Sequence, residues 1–353
     1  MNKSNSNNSI ANQMVIGITM GDAAGIGPEI IVKALADPGI RRAAKFIIFG
    51  MNEQLCYAAD RAEIEPFWRR HQHEKISRDY PCKVVIADYD EYSVPPWITG
   101  PSRVAGEASI RFCLDAIDAA RAGIIDAVVT APISKTSWKL ADADWPGHTE
   151  MLAQRCKSPR KVMMFVSGPL KLALATIHEP LFEVRHKFKI GCVFEPIDLL
   201  NDALKEYFDL ENPKIGVAAL NPHAGENGQF GDEEQRIISP AILLAQEQGI
   251  NCLGPFPADT LFLRAAHGEF DGVVAMYHDQ GMIAVKLLDF ENAVNITIGI
   301  PIIRTSPAHG TAFDIAGRNL ANPAGMKAAI TTAIHMATIK NLTAENAKLA
   351  EKR

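Results

Sequence analysis

Three histidines each follow an apolar run that is typical of a buried strand. His178 stands in A-T-I-H-E-P, His223 in N-P-H-A-G-E and His278 in M-Y-H-D-Q-G. Because the carboxyl ends of parallel strands deliver residues to a common crevice, the three imidazoles are expected to meet. Neutral imidazole is the commonest protein ligand for zinc and related ions, and three ligands with an open position describe a catalytic site. The pattern predicts a divalent-metal centre, and the alternative is three unrelated loop histidines.

A second group of residues is suited to binding an anion. W-P-G-H-T-E opens an apparent helix, whose free N–H groups and dipole attract anions, so His148 and Thr149 are candidates for holding a phosphate. Lys286, Asn295 and Arg304 fall on or beside the last apolar segments. A charged group there is costly unless it is paired, and an anionic substrate would pair with both cations. Helix capping by the threonine and surface salt bridges are the alternatives.

Short apolar runs alternate with amphipathic segments along the chain, which predicts a mainly parallel sheet with helices on its faces. The predicted strands lie at residues 15–20, 46–49, 84–87, 127–130, 162–166, 172–177, 215–220, 273–276 and 293–298. The predicted helices lie at residues 28–36, 105–122, 196–208, 232–248 and 323–339. Between the first strand and helix, the glycines of M-G-D-A-A-G-I-G-P-E lack the dinucleotide-fingerprint spacing, which favours a tight packing turn over a Rossmann domain.

Composition narrows the class of protein. The chain of 353 residues is longer than a domain with a single hydrophobic core usually is, so two domains around a cleft are expected. A net charge of −5 and a pI near 6.1 give no basic footprint for nucleic acid. The six cysteines are scattered, no apolar run reaches about 18 residues, and residues 1–13 read as a disordered tail. We therefore expect a cytoplasmic protein with no nucleic-acid or membrane partner.

The most specific stretch is H-G-T-A-F-D-I-A-G followed by A-N-P, at residues 309–323. It resembles the adenine-nucleotide loop of the isopropylmalate and isocitrate dehydrogenases. Other motifs run in order from about residue 15 to 330, namely M-G-D-A-A-G-I-G-P-E, T-A-P-I-S-K, P-G-H-T-E, N-P-H-A-G-E-N-G, P-A-D-T-L-F, M-Y-H-D-Q-G, V-N-I-T-I-G-I-P and I-R-T-S-P-A-H-G-T-A. Together they resemble the 4-hydroxythreonine-4-phosphate dehydrogenase family.

The resemblance implies an α/β fold of the two-domain isopropylmalate-dehydrogenase type, with mainly parallel sheets, helices on both faces and the active site in the interdomain cleft. Residues 14–140 with 296–342 would form a discontinuous nucleotide-binding domain. Residues 141–295 would form the domain for metal, substrate and dimerisation. The family's active site takes residues from both subunits of a homodimer.

Carried over to this sequence, the resemblance assigns residues to each ligand. The divalent metal (zinc, magnesium or cobalt) would be bound by His178, His223 and His278. The phosphorylated substrate would be held by His148, Thr149, Lys286, Asn295 and Arg304. Lys286 and Asp259 are the catalytic candidates, the latter reaching across the dimer. NAD would be bound by His309, Gly310, Thr311, Ala312, Asp314 and Asn322.

The implied reaction is an NAD-dependent, metal-dependent oxidation of 4-phosphohydroxy-L-threonine to 2-amino-3-oxo-4-phosphooxybutanoate. That product loses CO₂ to give 3-amino-2-oxopropyl phosphate for pyridoxine 5′-phosphate synthesis. Two stretches resemble instead the branch that oxidises D-threonate or D-erythronate 4-phosphate, namely N-P-H-A-G-E-N-G-Q-F-G-D-E-E and K-L-L at residues 286–288. Two others, P-A-D-T-L-F and A-G-R, favour the enzyme of vitamin synthesis. The chain departs from the family pattern at Ala23, where proline is expected, and at the acidic Glu179 beside the first histidine. A phosphate acyltransferase of related architecture and an inactive metal-binding scaffold are the alternatives from other classes.

Overall fold

The computed structural model describes residues 14–350, in two compact units. The first unit takes the chain up to Ser158 together with Pro301–Thr338. The second unit takes Pro159–Ile300 and the chain from Ile339 onward. The tail expected at residues 1–13 lies outside the described residues.

Both units are built from strands and helices that alternate along the chain. The strands of the described residues are β1 (Val15–Thr19), β2 (Lys45–Gly50), β3 (Arg69–Gln72), β4 (Val84–Asp88), β5 (Ala127–Thr130), β6 (Val162–Ser167), β7 (Leu170–Leu174), β8 (Ile215–Ala218), β9 (Cys252–Phe256), β10 (Gly272–Ala275), β11 (Val294–Ile298) and β12 (Ile303–Pro307). Their α-helices are α1 (Gly27–Leu35), α2 (Pro38–Ala43), α3 (Asn52–Arg61), α4 (Arg103–Arg121), α5 (Lys135–Leu140), α6 (His148–Arg155), α7 (Val184–Lys187), α8 (Ile190–Phe208), α9 (Ser239–Glu247), α10 (Ala258–Ala266), α11 (His278–Asp289) and α12 (Ala324–Ala350). Over residues 14–350, no helix has the length and apolar character that crossing a membrane requires.

The first unit contains a parallel sheet with the strand order β3-β4-β2-β1-β5-β12. All residues of β1, V-I-G-I-T, are buried, as expected for a strand that is covered on both faces of a parallel sheet. In its register, Thr130 at the end of β5 pairs with Thr19 at the end of β1. The loops after β1, β5 and β12 therefore leave the sheet at the same edge.

The second unit contains a mixed sheet with the strand order β11-β6-β7-β10-β8-β9. Strands β7, β10, β8 and β9 are parallel, whereas β6 runs antiparallel to both β7 and β11. The segments after β7 and β8 carry His178 and His223, and the short loop after β10 leads into α11, whose first residue is His278. Because those strands are parallel neighbours, all three loops emerge at one edge of this sheet.

The predicted α/β architecture is confirmed, and each of the nine predicted strands is present within a few residues. Three strands were missed, since β3 is the polar R-R-H-Q, β9 contains Gly-Pro and β12 contains an arginine and a proline. The helix expected at residues 196–208 begins earlier, at Ile190, and contains Pro196. The one expected at residues 232–248 is a π-helical turn, Glu234–Ile238, followed by α9.

Candidate functional site

The first unit holds a buried arginine where β12 pairs with β5. Arg304 is 3% exposed, and its guanidinium donates from Nε and Nη2 to Thr130 Oγ1, at 3.2 and 2.6 Å. Nη2 also lies 3.3 Å from Nδ1 of His148. Burial lowers the pKa of Arg304 to about 10, so the group still carries its charge at neutral pH. The fold therefore maintains a positive charge inside this unit.

His148 completes this cluster as the first residue of α6. Its ring packs edge-on against Trp138, and burial, followed by the charge of Arg304, lowers its pKa well below the ordinary value. The imidazole is therefore neutral. Because Arg304 donates to Nδ1, the ring proton belongs on Nε2, which is buried and lacks a hydrogen-bond partner among the described residues. The ring thus offers an N–H donor beside a fixed cation.

Thr149 follows His148 in the first turn of α6 and is buried, with 8% of its surface exposed. The residue before the helix is Gly147, and no side chain caps the helix. Thr149 therefore does not act as the cap that was the alternative interpretation. The first-turn N–H groups of a helix favour a bound anion.

The loop between β12 and α12, residues 308–323, carries the candidate cofactor residues. Nδ1 of His309 lies 3.1 Å from the carbonyl oxygen of Gly310, so Nδ1 donates, and in the neutral ring Nε2 is then an acceptor. That Nε2 is buried without a partner among the described residues. Thr311 and Ala312 follow in the same loop, the latter with a left-handed φ of 42°.

The far half of this loop is more exposed. Asp314 is exposed, and its backbone carbonyl accepts a hydrogen bond of 3.3 Å from Nη1 of Arg318. The side-chain oxygen of Asn322 accepts from the N–H of Ala324, at 2.9 Å, at the start of α12. Asn322 therefore helps to begin that helix.

Three buried side-chain atoms lack a hydrogen-bond partner among the described residues. They are Nε2 of His148, Oδ1 of Asn295 and Nε2 of His309. Buried polar atoms are almost always satisfied in proteins, so each of these three atoms is a candidate for a hydrogen bond to a bound ligand or a water molecule. Asn295 lies on β11 in the second unit, where its oxygen can only accept. All three residues belong to the ligand-binding set that the sequence predicts.

The second unit brings two of the three candidate metal ligands together. The rings of His178 and His278 have centroids 5.9 Å apart and are tilted by 39°. Two imidazoles that share an ion at about 2.1 Å from their nitrogens have centroids about 5–6 Å apart. Thr176 Oγ1 donates to the carbonyl of Met276 at 2.8 Å, which ties together the strand ends that carry the two rings. The pair fits a shared divalent ion.

Two acidic residues stand next to this imidazole pair, and each of them has a partner. Nδ1 of His278 lies 2.6 Å from Oδ1 of Asp279. A carboxylate on one ring nitrogen is the usual device that orients a ligating histidine and leaves Nε2 for the metal. Glu179, next to His178, is paired with Nζ of Lys187 at 2.7 Å. The extra acid in the family motif is therefore engaged by a lysine.

His223 occupies a different kind of segment, the 3₁₀ turn Pro222–Gly228, where residues 223–227 all have left-handed φ values. The preceding strand end is held by the buried Glu234, whose Oε1 accepts from the N–H groups of Leu220 and Asn221 at 2.9 and 2.7 Å. Over the described residues 14–350, no three His, Cys, Asp or Glu side chains are grouped to hold an ion. The structure thus assembles a pair of ligands, with the third candidate on a separate exposed loop.

The two catalytic candidates lie on α10 and α11. Asp259 is exposed and lines a groove between these helices, together with Leu263, Ile283 and Leu287. These three side chains are 61%, 61% and 82% exposed. Lys286 is also exposed, and its Nζ lies 5.8 Å from the ring centroid of Phe290. Both candidates therefore lie at an apolar surface of the second unit.

Two residues that hold the ligand-binding side chains in place were not predicted from the sequence. Thr130 accepts two hydrogen bonds from Arg304, and its signal was the T-A-P-I-S-K motif, which begins at the last residue of a predicted strand. Gln280 accepts from the N–H of Met276 at 2.7 Å and donates to the carbonyl of Ala219 at 2.8 Å. It joins the ends of β10 and β8, and its signal was the glutamine of M-Y-H-D-Q-G.

The chain is similar to dehydrogenases in structure and in sequence. The crystal structure of 4-hydroxythreonine-4-phosphate dehydrogenase from Klebsiella pneumoniae matches with a TM-score of 0.82 and 36% identity, over 92% of this chain and 100% of that one. The 4-hydroxythreonine-4-phosphate dehydrogenase of Desulforapulum autotrophicum is 42% identical over 337 residues, 93% of this chain and 97% of the relative. The D-threonate 4-phosphate dehydrogenase of Cupriavidus necator is 41% identical over 326 residues, 92% and 97% of the two chains.

These findings make the chain an oxidoreductase with a mainly parallel α/β fold. The family model described as pyridoxal phosphate biosynthetic protein PdxA matches residues 42–333, well over half of the sequence. The chain belongs to the PdxA family.

Proposed function

We propose that this chain is an NAD-dependent and divalent-metal-dependent 4-hydroxythreonine-4-phosphate dehydrogenase of the cytoplasm. The observation that carries the proposal is the buried Arg304 beside the unpartnered Nε2–H of His148, which suits a phosphorylated substrate. The similarity to named dehydrogenases supplies the reaction class. The cysteines are free thiols, which suits a reducing compartment.

The phosphate would be held in the first unit. Arg304 supplies a fixed charge, His148 an N–H donor, and Thr149 lies in the first turn of α6. Charge-assisted hydrogen bonds are worth about 1.5–3 kcal/mol each, which is enough to hold the substrate by a group remote from its reacting carbon. Binding energy from such a remote group orients the reacting carbon.

The loop at residues 308–323 would bind NAD. The acceptor Nε2 of His309 calls for a donor, and the exocyclic amine of adenine is one. The exposed Asp314 carboxylate can accept from a ribose hydroxyl, and Gly310, Thr311, Ala312 and Asn322 lie in the same loop.

His178, His278 and His223 would hold the divalent ion, whether zinc, magnesium or cobalt. A bound ion would lower the pKa of the substrate hydroxyl and polarise the ketone that forms. Asp279 fixes the ring of His278, and the buried Oδ1 of Asn295 would accept a hydrogen bond from a substrate hydroxyl or ammonium group. When bound, NAD⁺ would accept hydride from the hydroxyl carbon while the hydroxyl proton is released to solvent. The resulting β-keto acid would lose CO₂ and take up one proton to leave 3-amino-2-oxopropyl phosphate.

We also propose that two copies of the chain associate through the groove between α10 and α11. Its exposed leucine and isoleucine side chains form a contiguous apolar surface, which a soluble monomer rarely presents. Asp259 lines this groove and would then lie close to the partner subunit, and Lys286 is exposed on α11 next to the groove residue Leu287. Sedimentation of a dilution series tests this association. A homodimer should dissociate reversibly on dilution, and activity should be lost over the same range of concentration.

A second candidate is the oxidation of D-threonate or D-erythronate 4-phosphate. The similarity to the Cupriavidus necator D-threonate 4-phosphate dehydrogenase favours it, at nearly the same identity as the vitamin-pathway relative. Both reactions use a 4-phosphate and a metal-chelated hydroxyl, so they share every residue assigned above. They differ at carbon 2, which carries an amino group in one substrate and a hydroxyl in the other.

One assay separates these functions. The protein is incubated with NAD⁺, one divalent metal at a time and a panel of 4-phosphohydroxy-L-threonine, D-threonate 4-phosphate and D-erythronate 4-phosphate, while reduced cofactor is followed by absorbance. We expect the highest kcat/KM with 4-phosphohydroxy-L-threonine. A preference for a sugar acid would select the second candidate, and no reduced cofactor with any of the three would reject both.

A further inference from the structure

The loop at residues 308–323 has no helix or strand of its own, yet both of its ends are fixed to the same element. Near its beginning, the carbonyl of Thr311 accepts a 3.0 Å hydrogen bond from the N–H of Ile26. Gly25 packs so closely there that an added Cβ would lie 2.9 Å from that carbonyl oxygen. The turn that precedes α1 therefore holds the first part of the loop.

The end of the loop is held by two side chains of α1. Oε1 of Glu29, a residue only 6% exposed, accepts from the N–H of Ala321 at 2.7 Å and from Nζ of Lys33 at 2.8 Å. Nζ of Lys33 also donates to the carbonyl oxygens of Asn319 and Ala321, at 3.1 and 3.0 Å. The two side chains thus satisfy three backbone groups of residues 319–321.

These contacts are important because ordering the loop between Thr311 and Ala321 costs conformational entropy. Ala312 and Asn319 have left-handed φ values of 42° and 58°, which residues other than glycine adopt infrequently. Fixing each backbone residue costs entropy that a bound ligand must supply if the protein has not already done so. A partly buried ion pair that contacts the loop backbone would fix these residues before the ligand binds.

We infer that Glu29 and Lys33 are positioning residues for the cofactor, because their ion pair fixes the backbone of residues 319–321 in the nucleotide-binding loop. The inference rests on the proposed function, in which this loop binds NAD. Neither side chain needs to touch the cofactor. Their effect is on nucleotide affinity, and the phosphate cluster around Arg304 has no part in it.

The test compares Lys33→Met with Lys340→Met in the full-length protein. Lys340 is a matched control, since its Nζ also forms a 2.8 Å ion pair with a glutamate, Glu206, away from the loop. For Lys33→Met we expect the Kd and KM for NAD⁺ to rise by about tenfold, the effect of losing one to two net hydrogen bonds. The KM for the phosphorylated substrate is expected to stay unchanged, and Lys33→Arg to restore most of the affinity.

Amide hydrogen exchange gives a second measurement that needs neither substrate nor cofactor. The N–H of Ala321 should exchange about tenfold faster in Lys33→Met and in Glu29→Gln than in the wild type and in Lys340→Met. Glu29→Gln keeps the side-chain volume and decides the question if Lys33→Met does not fold. Unchanged exchange at Ala321, or equal rises in KM for NAD⁺ and for substrate, would overturn the inference. A wild-type protein that binds no NAD⁺ would instead reject the proposed function, and the exchange rates would still decide whether the ion pair orders the loop.

Discussion

The buried cluster of the first unit and the imidazole pair of the second differ in what holds their side chains. Arg304 is fixed by Thr130 and by His148, all within the packed interior. His178, on a loop, and His278, the first residue of α11, lie at a sheet edge, exposed and half-buried respectively, with the exposed Asp279 carboxylate beside His278. The first site is complete before any ligand arrives, whereas the second holds two of its three candidate ligands. In the proposed function, the packed interior of the first unit would therefore recognise the anion, whereas metal binding would depend on side chains at the edge of the second unit's sheet.

The largest expected effect tests the incomplete site. His223→Ala should lower turnover by about a thousandfold and reduce bound metal, because the several kcal/mol that a metal contributes require its full set of ligands. Metal content by mass spectrometry and kcat with saturating substrate measure this. His267→Ala, an exposed histidine of the same unit, serves as the control. Full activity of His223→Ala would show that His223 is not a required ligand, and full activity of the wild type in excess chelator would show that the imidazole pair is not a catalytic metal site.

The next prediction tests the complete site. Arg304→Met should lower kcat/KM for the phosphorylated substrate by about 100- to 1000-fold, because two charge-assisted contacts are lost. It should have little further effect on the unphosphorylated hydroxy acid, which lacks the group that Arg304 would bind. Arg103→Met, at an exposed ion-paired arginine, should leave both values unchanged. An equal loss with both substrates would mean that Arg304 stabilises the fold and does not recognise phosphate.

The two sites also differ in how far the sequence could predict them. Apart from β12, the strands that lead to the two sites are apolar runs, so their existence follows from the hydrophobic pattern, and the motifs named most ligand residues. The contact of Arg304 with Thr130 joins residues 174 positions apart, and no spacing rule reports such a contact. Strand β12 was missed because its arginine and proline break the apolar pattern. Both residues are nevertheless buried in the structure. The ring-proton positions of His148 and His309 likewise depend on neighbours that only the fold supplies.

A pH dependence should follow from the burial of His148. Its pKa in the folded protein lies well below the ordinary 6.5, so below pH 6.5 the unfolded chain binds a proton that the folded chain does not. The free energy of unfolding should therefore fall as the pH drops below 6.5, by about 1.4 kcal/mol per pH unit from this residue. Denaturant unfolding of the wild type and of His148→Asn between pH 5 and 7.5 measures the difference. Identical slopes would mean that His148 is protonated in the fold, and that its Nε2–H does not stand beside Arg304 as a neutral donor.

The smallest effect concerns the exposed half of the cofactor loop. Asp314 can accept from an adenosine ribose hydroxyl, and its charge would repel a 2′-phosphate by about 1 kcal/mol in water and about 4 kcal/mol near a protein surface, at 4 Å. NAD⁺ should thus be preferred over NADP⁺ by about tenfold or more. The guanidinium of Arg318, which donates to the backbone carbonyl of Asp314, lies close enough to weaken this preference.

Measurement of kcat/KM for both cofactors in the wild type, Asp314→Ala and Arg318→Ala separates the two side chains. Asp314→Ala should reduce the preference for NAD⁺, and Arg318→Ala should increase it, because the two charges act on a 2′-phosphate with opposite sign. If neither substitution changes the ratio, the exposed half of the loop does not contact the ribose. Cofactor recognition would then depend on the buried part of the loop around His309, just as the proposed phosphate recognition would depend on the buried cluster around Arg304.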